Sequence, residues 1–286
     1  VDIVFERRGD GPPLVLLHGI GHRWQAWRPV MDRLAREREV IAVDLPGFGA
    51  SPPLPDGTPY TVDTVLSVMA ELFEEFGLRR PHIAGNSLGG LFSLEAADRG
   101  LVSSATVLSP AGFFTAPELR WASTVLRASR LAARTPEPLI DLLARSPKRR
   151  RALFGMIYGH PDRLEAAELL ADARALRDCA GFEPTLRAGR RVRFAGACAD
   201  VPVTVAWGTR DRLLLPIQAL RAQQRLPNAR FVWLPDCGHV PMGDDPDLVA
   251  KVLLEGSSTP LLEPVRPDGP RGLSAEAALD AGQATA

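Results

Sequence analysis

The chain has 286 residues, 45% hydrophobic and 24% charged, with equal numbers of basic and acidic side chains. That is an ordinary globular composition, long enough for one large domain or one domain with an insertion. A net charge of zero points to neither a nucleic acid nor an anionic membrane as partner, and no apolar run reaches the ~20 residues of a membrane span. Cys179, Cys198 and Cys237 are odd in number and lack metal-type spacing. They are expected as free thiols in a reducing cytoplasm.

Short β-rich runs at residues 1–5, 14–17, 40–43, 82–84, 105–108, 203–207 and 231–234 alternate with helical periodicity. The alternation predicts an α/β fold with a mostly parallel sheet flanked by helices. Trp27, Val30, Met31 and Leu34 recur at helical spacing, as do Val62, Val65, Leu66, Met69, Leu72, Phe73 and Phe76. Each set marks one buried helix face.

Residues 113–199 break the pattern with several short helices rich in Ala, Leu and Arg, punctuated by prolines and without a strand run. This predicts an inserted helical lid in a core made of residues 1–112 and 200–255. The run Lys148-Arg149-Arg150-Arg151 within it reads as a solvated helix face. Residues 256–286, rich in Pro, Gly, Ser and Ala, read as a flexible tail with one short helix near 274–279.

The stretch HIAGNSLGGLFSL sets Ser87 among glycines where a strand should turn into a helix. One reading is a helix N-cap; the other is a nucleophile on a strained G-x-S-x-G turn. A nucleophilic serine needs a base and a group to orient that base. Both are available after later strands: Asp211 in VAWGTRDRLLLP and His239 in FVWLPDCGHVPM. Strand ends at the carboxyl edge of a parallel sheet open onto one crevice, so these residues can converge without any spacing rule. Asp236, Asp244 and Asp245 are rival carboxylates. Asp236 should point away or cap the turn, and Asp244 and Asp245 read as the start of the last helix.

An oxyanion intermediate also needs donors. The Leu88 N–H just after the serine is one candidate, and the Ile20 N–H in the turn His18-Gly19-Ile20-Gly21 is the second. A plain tight turn is the alternative for that tetrapeptide.

His18-Gly19-Ile20-Gly21, DLPGFGAS (44–51), GNSLGG (85–90), GTRD (208–211) and CGHVP (237–241) occur in this order. With them the chain resembles the α/β-hydrolase superfamily, in its small, lidded cytosolic members, over about residues 1–255. The resemblance implies Ser87 as nucleophile, Asp211 as acid, His239 as base, and Ile20 and Leu88 as oxyanion donors. Residues 44–51 are similar to the family's post-strand turn and are assigned a structural role. Dehalogenases and epoxide hydrolases of the superfamily use aspartate where Ser87 stands, and only Tyr158 lies in the lid to play the epoxide hydrolases' lid tyrosines.

The expected activity is hydrolysis of a carboxylic ester, thioester or lactone of a small organic substrate through an acyl-enzyme. Neither a metal nor an organic cofactor is required. The alternatives are carbon–carbon bond hydrolysis of ring-cleavage products, whose enzymes share the G-N-S-x-G-G elbow, and a slow-turnover ligand sensor on the same fold. The former usually carry a longer glycine- and proline-containing turn after the HG, where this chain has GHRWQAW.

Overall fold

The computed structural model describes residues 2–258. Among them seven strands form one sheet: β1 (Phe5–Arg8), β2 (Pro13–Leu17), β3 (Glu39–Val43), β4 (His82–Asn86), β5 (Ser104–Leu108), β6 (Val203–Gly208) and β7 (Arg230–Leu234). Their order is β1-β3-β2-β4-β5-β6-β7, and only β1 runs antiparallel to its neighbour. The helices are α1 (Arg28–Leu34), α2 (Val62–Glu75), α3 (Leu88–Asp98), α4 (Ala116–Ala132), α5 (Glu137–Ala144), α6 (Pro147–Phe154), α7 (Ala166–Asp178), α8 (Phe182–Ala188), α9 (Ile217–Arg225) and α10 (Pro246–Gly256).

Strands β4, β5 and β6 are buried along their whole length, as expected for parallel strands covered on both faces. The two faces are separated by the period-2 alternation. Val15 and Leu17 join a core with Met69 and Leu72 of α2 and Leu91 of α3. Leu14 and Leu16 join a second core with Val30 and Met31 of α1 and Val249 and Leu253 of α10.

The first strand departs from expectation. Residues 1–5 were the predicted run, yet β1 spans Phe5–Arg8 and pairs with Val43 to Val40. It is an edge strand with one face open, so arginine is tolerated there, and Arg7 and Arg8 pair with Glu39 and with Glu6 and Asp32. Val4 instead gives its N–H to the Ser51 hydroxyl.

Between β5 and β6 the described chain runs through α4 to α8 without a strand. Helix α6, which carries the run Lys148 to Arg151, buries none of its residues, and Arg151 pairs with Asp162. Among the described residues no helix is long and apolar enough to cross a membrane. The predicted tail lies almost wholly outside the described residues, and the helix expected near 274–279 lies outside them entirely.

Candidate active site

The strand order reverses between β3 and β4, which lie on opposite sides of β2. Such a switch point opens a crevice at the carboxyl ends of β2 and β4. The turn from β4 into α3 places Ser87 there, and the turn after β2 places Ile20 there. The two turns touch: a Cβ built on Gly19 would lie 3.2 Å from the Ser87 Cβ. Gly89 permits this approach, because any side chain at that position would collide with the Leu17 carbonyl.

Ser87 holds φ 56° and ψ −111°, a conformation that favours glycine, and its side chain makes no capping bond to α3. The N-cap reading is therefore set aside. The strained turn is locked by its backbone: Ser87 N–H donates to Leu108 O (3.0 Å), and Ser87 O accepts from Leu91 (3.1 Å) and Ala111 (2.9 Å).

Asp211 and His239, from the loops after β6 and β7, meet in a hydrogen bond of 2.7 Å between Asp211 Oδ2 and His239 Nδ1. Both are buried. The other Asp211 oxygen accepts from the N–H groups of Leu213 (2.9 Å) and Leu214 (2.8 Å), which fixes the carboxylate. A carboxylate accepts, so Nδ1 carries the proton, and in the neutral ring Nε2 is left as a bare acceptor. His239 Nε2 is buried and makes no hydrogen bond among the described residues. Asn86, next to the serine, donates from Nδ2 to Leu108 O (3.0 Å) and to His239 O (2.8 Å), joining the histidine loop to the elbow.

The rival carboxylates lie elsewhere. Asp236 is exposed, takes φ 60° and pairs with Arg210 at 3.0 Å. Asp245 caps α10 by accepting from the Leu248 N–H. Asp244 differs from expectation: it precedes the cap and is buried against backbone amides of two loops.

Neither the Ile20 N–H nor the Leu88 N–H finds an acceptor among the described residues. His18, in the same turn as Ile20, is a structural tie that sequence patterning does not reveal. Its Nδ1 donates to Gly19 O (2.7 Å) and its Nε2 accepts from Leu45 N–H (3.0 Å). Complete burial pushes its pKa down to about 3, so the ring stays neutral and keeps both bonds. The adjoining turn is organised by Asp44, which accepts from the N–H groups of Trp24 (2.6 Å) and Ala50 (2.8 Å). Gly47 and Gly49 take positive φ there, in keeping with the structural role assigned to residues 44–51.

A cavity of about 140 Å³ lies between the turn after β2 and the inserted helices, with Ile20, His22, Leu126, Ile140, Phe154 and Leu176 among its walls. Ser87, Asp211 and His239 do not line it, whereas Ile20, Gly21 and His22 of the turn after β2 do. The three cysteines are free and buried, and burial raises their thiols to about 11 for Cys179 and about 12 for Cys198 and Cys237. Among the described residues no group of three or more His, Cys, Asp or Glu side chains is placed to hold a metal ion.

Residues 14–252 match the alpha/beta hydrolase family. The chain belongs to that family. It is 30% identical over 258 residues to an uncharacterized protein of Mycobacterium tuberculosis, covering 85% of this chain and 74% of that one. A shorter match, 42% identical over 94 residues, is to the 2-hydroxy-6-oxo-2,4-heptadienoate hydrolase of Pseudomonas putida, with 32% of this chain and 34% of that one covered. Among solved structures the enol-lactonase of Burkholderia xenovorans superposes with a TM-score of 0.71 at 22% identity, over 90% of this chain and 96% of that one. That likeness is one of fold.

Proposed function

We propose that this alpha/beta hydrolase cleaves a carboxylic ester, thioester or lactone of a small organic substrate through an acyl-enzyme on Ser87. The observation that carries the reading is Ser87 itself, a non-glycine residue held at φ 56° whose hydroxyl caps nothing. Strain of this kind is maintained where a side chain must be presented to a ligand. His239 Nε2 takes the serine proton as Oγ attacks the carbonyl, and Asp211 stabilises the imidazolium that forms. The Ile20 and Leu88 N–H groups receive the oxyanion, each worth about 3 kcal/mol in the transition state. The leaving group departs with the proton from His239, and water repeats the sequence to release the acid.

The helical insert, residues 113–199, acts as a lid that sets substrate choice, since the cavity walls beyond Ile20 to His22 come from it. The buried free thiols support a reducing, cytoplasmic setting. Labelling with a fluorophosphonate should modify Ser87, and a panel of acyl esters of increasing length should yield turnover. Stoichiometric labelling of Ser87→Ala at another residue would remove the assignment.

A second reading, hydrolysis of a carbon–carbon bond in a vinylogous diketone by the same residues, is favoured by the 42% identity over 94 residues to the heptadienoate hydrolase. Decay of a coloured dienol substrate, faster than turnover of a nitrophenyl ester, would select it.

A further inference from the structure

Asp244 is 5% exposed and lies outside the proposed triad, and its side chain caps no helix. Its carboxylate accepts three backbone N–H groups, from Gly238 (2.7 Å) and Gly159 (2.9 Å) on Oδ2 and from His160 (2.7 Å) on Oδ1. Gly238 immediately precedes His239, whereas Gly159 and His160 belong to the helical insert, between α6 and α7. The insert answers from its side: Ile157 O accepts the N–H groups of His239 (2.8 Å) and Val240 (3.1 Å). The two backbones are in direct contact. A Cβ on Gly159 would lie 2.6 Å from Asp236 O and 2.7 Å from Gly238 N, so the seam closes only because that position lacks a side chain.

We propose that Asp244 is a positioning residue for His239, and that through it the helical insert is part of the machinery that places the base. The proposal rests on the reading of His239 as the base. The imidazole is held at one ring atom, Nδ1, by Asp211. Where Nε2 points therefore depends on the backbone beneath the ring. Four ties hold that backbone: Gly238 N–H to Asp244, the His239 and Val240 N–H groups to Ile157 O, and His239 O to Asn86 Nδ2. All but the last belong to the seam. A misplacement of about 1 Å at a reacting group can cost ~100-fold in rate. Only a carboxylate serves this position, because asparagine would turn its NH₂ toward at least one of three N–H donors and leave it unpaired.

The test compares Asp244→Asn with Asp245→Ala at the neighbouring helix cap, as a control for loss of stability alone. Asp244→Asn should slow fluorophosphonate labelling of Ser87 by about 10- to 100-fold. It should also shift or broaden the low-field proton resonance of His239 Nδ1–H. Asp245→Ala, which removes the cap acceptor for the Leu248 N–H, should lower Tm but label within about twofold of wild type. Labelling of Asp244→Asn within twofold of wild type, with the low-field resonance unchanged, overturns the proposal. Hydrogen exchange on the wild-type protein gives a second measurement that needs no folded variant. The amides of Gly159, His160, Gly238, His239 and Val240 should open together with one protection factor, and independent opening of the two loops refutes the seam. A wild-type protein that does not label at Ser87 removes the hydrolase reading, while the resonance and the exchange still report on the seam.

Discussion

Asn86 and His239 lie 153 positions apart in the chain, yet the Asn86 side chain donates at 2.8 Å to the main-chain carbonyl of His239. The residue before the serine thus holds the histidine loop, and the same NH₂ also bonds Leu108 O. Asn86→Ala leaves the His239 carbonyl without this donor, while Leu108 O keeps the Ser87 N–H, and the loss costs about 1–3 kcal/mol of stability. Turnover should fall by about 10- to 100-fold with a smaller change in KM, since the tie acts on geometry and not on substrate binding. Steady-state kinetics beside thermal unfolding checks this.

Strain at Ser87 makes a second prediction. At φ 56° an L side chain costs about 1–3 kcal/mol that glycine does not. Ser87→Gly and Ser87→Ala should both lose fluorophosphonate labelling, and the glycine variant should have the higher Tm. Equal or reversed Tm values would show that the elbow is relaxed.

Asp211 and its rival Asp236 should rank far apart. Asp211→Asn removes the charge behind the imidazole and should cut turnover by about 10⁴, the scale of a triad acid losing its charge. Asp236 pairs with Arg210 at an exposed position, so Asp236→Asn should change stability by about 0–1 kcal/mol and turnover by less than about twofold. Measuring kcat/KM for both variants decides the assignment, and the reverse ranking would sink it.

Stability should depend on pH through two buried histidines. Burial lowers His18 to about 3 and His82 to about 4, whereas both titrate near ~6.5 in the unfolded chain. As pH falls below ~6.5 the unfolded state binds protons that the native state does not. Stability present above that point is therefore lost progressively toward pH 4 and then pH 3. Asp44, whose carboxyl is raised by burial, works in the opposite sense and offsets part of the loss. The urea midpoint should drop from pH 7 to pH 5, and His82→Gln should flatten that slope.

Much of the protein is legible in the sequence, for local reasons. Apolar runs of strand length and the helical spacing of Val65, Leu66, Met69 and Leu72 mark buried faces that the fold keeps. The glycines around Ser87, with Asp211 and His239 each following a strand, suffice to propose three residues, because carboxyl-edge loops share one crevice whatever their spacing. The start of β1 was misplaced because an edge strand tolerates charge, so its hydrophobic pattern is weak. What tertiary structure alone decided is the set of ties between distant loops. His18 to Leu45, Asn86 to His239 and Asp244 to Gly159, His160 and Gly238 are hydrogen bonds whose partners are backbone atoms. Every residue except proline carries the same backbone groups, so no sequence pattern can mark which of them a buried His, Asn or Asp will meet.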